Sequence, residues 1–231
     1  FYSFSKDNGT SFSKPAVISK VDDMHLGMTR EPQLSRSKDD SIVAKIKKKG
    51  NIHSFQLDHR AENWVKLENV NDVEGSAPEG LMSITADEAN KFYAVWLDLR
   101  EDKNNKIAFS TFTKSATWSK NKIVYKSPDK TVCECCKPSI AVKGKMVSLM
   151  FRNWINGARD LYLTSSIDGG LEFGNPTKLG NGTWKLKGCP MDGGGISIDK
   201  NNLVHTVWQR EGIVYYHQPG QSETRIAEGR S

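Results

Sequence analysis

Ser166-Ile167-Asp168-Gly169-Gly170-Leu171-Glu172-Phe173 is the stretch on which the fold turns. It has the form Ser-x-Asp-x-Gly-x-x-aromatic. The Asp168 carboxylate can accept hydrogen bonds from backbone N–H groups two or three residues on, which closes a tight turn. Gly169 and Gly170 supply the positive φ that a hairpin turn requires. Ser166 offers a second local hydrogen bond, and Phe173 is placed to bury itself where the next strand begins. The form recurs at Ser5-Lys6-Asp7-Asn8-Gly9-Thr10-Ser11-Phe12, with Ser5, Asp7, Gly9 and Phe12 in the corresponding places. Two copies in 231 residues indicate an internal repeat.

Aligned on the closing aromatic, the repeat falls at Phe12, Trp64, Trp118 and Phe173, at intervals of 52, 54 and 55 residues. Degenerate turns over 57–64 and 111–118 precede the middle two. Each interval holds the same succession of short alternating segments rich in β-branched and aromatic residues, the pattern of strands. First strands are expected at 32–35, 80–84, 138–142 and 195–198. Second strands follow at 41–47, 92–98, 147–153 and 203–209, and third strands at 52–57, 107–113, 161–166 and 213–217. Fourth strands leave the turn at 16–18, 65–67, 122–125 and 176–179. No amphipathic helix is evident. Four antiparallel strands per repeat of about 50 residues describe a β-propeller blade, whose faces are buried only by stacking on neighbours. The fold class is therefore all-β, a single propeller domain over 1–231. Residues 1–27 supply half a blade, 28–74, 75–129 and 130–189 supply whole ones, and 190–231 an incomplete one with a missing or degenerate outer strand. Four to five blades do not close a ring, so the chain reads as a portion of a longer one.

Bulk composition agrees with a globular protein. Hydrophobic residues make up 37% and there are six Trp. No apolar run reaches membrane-spanning length. No signal peptide is visible, and a chain opening at Phe1 in a strand-like segment reads as one whose leader was removed or never included. The net charge of +6 would suit an anionic partner. Acidic and basic residues are mixed along the chain, however, and the one dense basic run, Lys45-Ile46-Lys47-Lys48-Lys49, reads as a solvated hairpin end, not a nucleic-acid surface.

The Ser-x-Asp-x-Gly-x-x-aromatic turn resembles the Asp-box, or bacterial neuraminidase repeat, of sialidases and related propellers. The whole chain resembles bacterial sialidase-like six-bladed proteins. Val132-Cys133-Glu134-Cys135-Cys136-Lys137-Pro138-Ser139, Phe151-Arg152-Asn153 with Arg159-Asp160-Leu161-Tyr162, and Gly188-Cys189-Pro190-Met191-Asp192-Gly193-Gly194 resemble a Cys-x-Cys-Cys subgroup of them. The resemblance implies six blades in full length. It also implies that the Asp-box residues are structural and lie away from the central axis.

Ligand chemistry in a propeller gathers at the axial face, where second-to-third-strand loops and blade-to-blade loops open at one end. Arginines recur there: Arg30 in a blade entry, Arg100 after Asp98, Arg152 and Arg159 around Asn153, and Arg210 after Gln209. A sialidase holds its substrate carboxylate with three arginines, which the resemblance would draw from this set. Asp98, Asp160 or Glu79 would supply the acid. The Tyr nucleophile has a poor match in Tyr215 or Tyr216, which lie in a third strand. Against this stands the reading in which the arginines pair with Asp98, Asp160 and neighbouring carboxylates to pin hairpins.

Cys133, Cys135 and Cys136 lie at one blade entry and Cys189 at the next. Three readings stay open: disulfides stapling adjacent blades in an oxidising compartment, a zinc or copper site with Met191, Met28 or His25 as nearby donors, or a redox dithiol. Asp192-Gly193-Gly194-Gly195 reads as a close backbone approach. No cofactor is otherwise expected. The function expected is recognition of a glycan or other anionic ligand on the axial face by a secreted, periplasmic or cell-surface protein, with an exo-acting hydrolase of sialidase type as its enzymatic form. The alternatives are a non-catalytic binding or assembly module with envelope proteins as partners, and a metal-binding propeller.

Overall fold

A computed structural model describes residues 1–27, 29–46, 49–113 and 117–229. Four antiparallel four-stranded sheets follow one another along the chain. The first blade holds β1 (Gln33–Arg36), β2 (Ser41–Ile46), β3 (Ile52–Asp58) and β4 (Asn63–Lys66). The second holds β5 (Met82–Ala86), β6 (Lys91–Asp98), β7 (Lys106–Thr113) and β8 (Lys122–Tyr125). The third holds β9 (Ser139–Lys143), β10 (Met146–Arg152), β11 (Leu161–Ser166) and β12 (Thr177–Lys178). The fourth holds β13 (Gly195–Ile198), β14 (Val204–Arg210), β15 (Ile213–His217) and β16 (Thr224–Glu228). Strands pair in sequence order within each sheet, and the first strands β1, β5, β9 and β13 contact one another, so they line the inner side. Among the described residues no helix occurs, and none is long and apolar enough to cross a membrane.

Period-two alternation explains how blades stack. Along β6, Phe92, Ala94 and Trp96 face the first blade and pack with Ile42, Ala44 and Ile52. Tyr93, Val95 and Leu97 point the other way and pack with Val147, Leu149 and Phe151 of the third blade. Both faces of the sheet are thus buried, and the strand reads as an unbroken apolar run. A third cluster, with Met150, Leu163, Val204 and Trp208, joins the third and fourth blades. Each large side chain so buried contributes roughly 1.5–3 kcal/mol of transfer free energy. Hydroxyls tie successive inner strands: Ser83 Oγ donates to the Pro138 carbonyl at 2.6 Å, and Ser139 Oγ to the Gly194 carbonyl at 2.8 Å.

Two expectations need correction. The segment 190–231 carries a complete blade, because β16 pairs with β15. Its residues are all exposed, and the sequence Thr-Arg-Ile-Ala-Glu has no apolar face to announce a strand. The segment 1–27 does not form full third and fourth strands; they are reduced to a short antiparallel pairing about the turn, with Tyr2 bridging Ala16 and the Ser13 N–H donating to the Phe4 carbonyl at 2.9 Å. Phe12 is 67% exposed, and Tyr2 instead sets its ring edge-on to Trp64 at 5.4 Å. Of the basic run, Lys47 and Lys48 lie outside the described residues, and so does Met28.

Both Ser-x-Asp-x-Gly turns have the same internal bonding. Ser166 Oγ donates to Asp168 Oδ1 at 2.6 Å and accepts from the Gly170 N–H at 2.9 Å. Asp168 Oδ1 accepts from the Leu171 and Glu172 N–H groups at 2.8 and 3.1 Å. Ser5 and Asp7 repeat this with Gly9 and Ser11. Gly170, at φ +89°, also lets the turn lie against the Phe109 ring, which a Cβ would meet at 2.6 Å. Phe173 packs edge-on to the same ring at 5.1 Å.

Candidate functional site

The sheet register places the second-to-third-strand loops and the blade-to-blade loops at one end. In the third blade, loop 153–160 between β10 and β11 meets loop 179–194, which leads from β12 to β13. Ala158 bridges Lys185, and the Arg159 N–H donates to the Trp184 carbonyl at 2.8 Å. The loop 126–138 completes the cluster through the bridge of Val132 with Asn153. Arg152, Arg159, Trp154, Trp184 and all four cysteines gather here.

Each arginine singled out in the sequence is bound to protein acceptors. Arg100 forks onto Asp98, with Nε to Oδ1 at 2.8 Å and Nη2 to Oδ2 at 2.9 Å, and reaches Asp72 at 3.0 Å. Arg152, 1% exposed, donates to the Asp192 carbonyl at 2.9 Å, the Arg159 carbonyl at 2.6 Å, the Asp192 carboxylate at 3.1 Å and the Gln209 carbonyl at 3.2 Å. Arg210 pairs with Glu223 at 2.9 Å and lies over the Tyr215 ring at 4.1 Å. Arg30 donates to the Glu79 carbonyl at 2.6 Å. Arg159 donates to Cys133 Sγ at 3.0 Å and lies 3.5 Å from Glu134. Arg152 and Arg159 are brought together at the third blade, while Arg30 and Arg100 are bound elsewhere. No triad of free guanidinium groups is assembled among the described residues.

The carboxylate candidates are committed in the same way. Asp98 is wholly buried and accepts from Ser76, Trp96 and Arg100. Burial pushes its carboxyl up, but the Arg100 guanidinium and N–H, Trp96 and Ser76 outweigh it and hold the group below the usual carboxylate range. These contacts favour the carboxylate form of Asp98 and occupy both of its oxygens. Asp160 pairs with Lys178 at 3.2 Å and accepts the Trp184 N–H at 2.8 Å. Glu79 is half-buried and holds Arg30 through its main-chain carbonyl. Tyr216 accompanies His205 at 2.6 Å, and Tyr215 stacks on Trp208, as third-strand residues would.

Sequence reasoning missed the aromatic pair. Trp154 and Trp184 are half-buried, and a guanidinium sits against each ring: Arg159 over Trp154 at 4.6 Å and Arg152 over Trp184 at 5.4 Å. A bulky Trp within the polar run Asn181-Gly182-Thr183-Trp184-Lys185 was the available signal. Asp192 organises the floor through Arg152 and the N–H groups of Gly194 and Gln209. Gly193 lies so close to the preceding blade entry that a Cβ would meet the Lys137 carbonyl oxygen at 1.8 Å. A separate cavity of 1590 Å³ opens at the opposite end among first-to-second-strand turns and the β11–β12 turn, lined by Arg36, Asp87, Lys91, Lys145 and Asp168.

Cys135 and Cys189 form a disulfide, which ties loop 126–138 to loop 179–194. Cys133 and Cys136 are free, buried thiols with sulfurs 3.0 Å apart, and Met191 packs on them. The hydrogen bond shared with Cys136 lowers the Cys133 thiol to about 7 against burial, with help from the Arg159 charge. Burial and that neighbouring thiolate push Cys136 up. The sulfurs of Cys133, Cys135 and Cys136 lie within 4.8 Å of one another, a spacing that a soft metal ion could share only with Cys135 reduced.

No protein-family model and no curated sequence matches the chain. Solved structures do. SapL1 lectin in complex with alpha methyl fucoside superposes with a TM-score of 0.55 at 11% identity, covering 96% of this chain and 70% of that one. A mutant of Aleuria aurantia lectin, bound to Fucalpha1-6GlcNAc, gives 0.54 at 14% identity, over 86% of this chain and 61% of the lectin. The intramolecular trans-sialidase from Ruminococcus gnavus, bound to oseltamivir carboxylate, gives 0.53 at 14% identity, over 97% of this chain and 49% of the enzyme. The chain thus spans less than two thirds of the length of two of these three. At such identities the likeness is one of fold, and it places four consecutive all-β blades in the propeller architecture.

Proposed function

We propose that the chain is a glycan-recognition module which binds a sugar at the loop end of its third blade without hydrolysing it. The observation that carries this is the pair of half-buried rings, Trp154 and Trp184, each fixed by a guanidinium on the loops where propellers gather ligand contacts. Aromatic surface beside a few placed polar groups is the usual composition of a small-ligand site. The fucoside-bound lectins among the structural neighbours favour the same reading. Because Arg152 and Arg159 are already paired with Asp192 and Glu134, the site suits a neutral sugar better than a carboxylate. The buried Asp98 carboxylate, forked by Arg100, and the bonded Asp160 argue against a hydrolase built on these residues. A disulfide fits residence in a secreted, periplasmic or cell-surface setting.

The test is titration of the protein with α-methyl fucoside and, separately, N-acetylneuraminic acid, followed by tryptophan fluorescence and calorimetry. A saturable response to the fucoside, weakened at least tenfold in Trp184→Ala and retained in Trp184→Phe, supports the proposal. Binding unchanged in both Trp154→Ala and Trp184→Ala overturns the site. Release of sialic acid from a fluorogenic sialoside overturns the non-catalytic reading.

A further inference from the structure

We propose that the four cysteines form a thiol–disulfide exchange site, in which one disulfide moves between the pair Cys135–Cys189, of which Cys189 is exposed, and the fully buried pair Cys133–Cys136. A simple staple needs only Cys135 and Cys189. Two further thiols packed against it contribute nothing to a staple, yet Cys133 and Cys136 are 0% and 1% exposed with their sulfurs 3.0 Å apart. A bond between them requires closure by about 1 Å. Cys133 Sγ also lies 3.6 Å from Cys135 Sγ, in contact with the existing disulfide. The Arg159 N–H at 3.0 Å from Cys133 Sγ stabilises negative charge there, which favours the attacking thiolate. Cys189 is the one exposed residue of the four, so an external reagent meets the site at that end. A four-coordinate metal centre fits less well, because the disulfide removes Cys135 and Cys189 from the ligand set.

The chemistry balances without an outside reagent. The Cys133 thiolate attacks Cys135 Sγ; the 133–135 bond forms, the 135–189 bond breaks, and its electron pair leaves on Cys189, which takes a proton. Cys136, deprotonated, then attacks Cys133 Sγ; the 133–136 bond forms, and the electron pair of the 133–135 bond returns to Cys135, which is protonated. Two protons and one disulfide have changed places, and the oxidation level is the same. The freed Cys135 and Cys189 can then react with an external disulfide, which is reduced to two thiols while the 135–189 bond re-forms. The substrate class is therefore a small-molecule or protein disulfide, met at the Cys189 end.

The experiment poises the intact chain anaerobically with dithiothreitol at one disulfide per molecule and quenches it in acid. Free thiols are blocked with N-ethylmaleimide, the remainder are reduced and labelled with iodoacetamide, and each cysteine is read by tandem mass spectrometry. Fragment-level assignment is needed because Cys133, Cys135 and Cys136 share the tryptic peptide 131–143, Lys137 being protected by Pro138. Coexisting 135–189 and 133–136 forms are expected, with the buried form lost in Cys133→Ser and retained in Cys189→Ser. A sole 135–189 form in the unmodified chain overturns the proposal, whether or not the variants fold. So does one metal ion per chain with four shielded thiols, which would make the cluster a metal centre instead.

Discussion

Replacing Asp98 by Asn separates a structural carboxylate from a catalytic one. The side chain is wholly buried and accepts from Ser76 Oγ at 2.8 Å, Trp96 Nε1 at 2.9 Å, the Arg100 N–H at 2.9 Å, Arg100 Nε at 2.8 Å and Arg100 Nη2 at 2.9 Å. Asn keeps the volume but removes the charge and turns one acceptor into a donor facing donors. Breaking a buried ion pair from one side costs about 3–5 kcal/mol. Arg100 keeps Asp72, whose side chain is 38% exposed, so the lower end, about 3 kcal/mol, is the better expectation. For a chain of this size that lowers the melting temperature by about 6–12 °C. Urea unfolding followed by tryptophan fluorescence, with a matched thermal scan, measures it. A loss below about 1 kcal/mol would mean that the pair is screened like a surface bridge, and would refute the reasoning. Intact stability with loss of a hydrolytic activity would restore Asp98 as a catalytic acid.

Other outcomes follow from the same contacts. Asp98 and Glu223 both have folded carboxyls lowered beneath their ordinary values, Asp98 through Arg100, Trp96 and Ser76 against burial, Glu223 mainly through Arg210. Their stabilisation is full above the unfolded values and is lost as pH falls through the folded ones, so the melting temperature should drop on acidification below about pH 4. A flat profile from pH 5 to pH 2 would contradict this. Gly170→Ala combines a positive φ with a Cβ against the Phe109 ring and should cost about 1–3 kcal/mol, whereas Gly9→Ala, with open space around it, should cost about 1 kcal/mol from backbone strain alone. Equal losses in urea melts would show that the ring contact is irrelevant. Gly193→Ala should prevent the third and fourth blade entries from closing on each other, read as faster proteolysis within loop 179–194; an unchanged cleavage pattern would contradict the close approach.

The blade plan was legible because stacking imposes a rule on local sequence. A strand buried on both sides must be apolar throughout, as in Phe92–Leu97, and a hairpin turn must carry Gly and Asp at set places, as in Asp168–Gly170. Where neither rule acts, the reading failed. The exposed strand β16 has no apolar face, and its hydrogen bonds come from β15. The opening segment has the turn residues but pairs only briefly, through Tyr2 with Ala16 and Phe4 with Ser13.

By itself, then, the sequence determined a repeat of 52, 54 and 55 residues, its strand order and its turns, since these depend on contacts a few residues apart. Only the tertiary structure decided which partner each buried charge and sulfur takes. Arg152 meets Asp192 across 40 residues, and Cys135 meets Cys189 across 54. An arginine's sequence neighbours do not reveal whether its guanidinium is free for a ligand or committed to a distant carbonyl. That depends on how adjacent blades bring their loops together, where burial makes an unpaired charge too costly to leave.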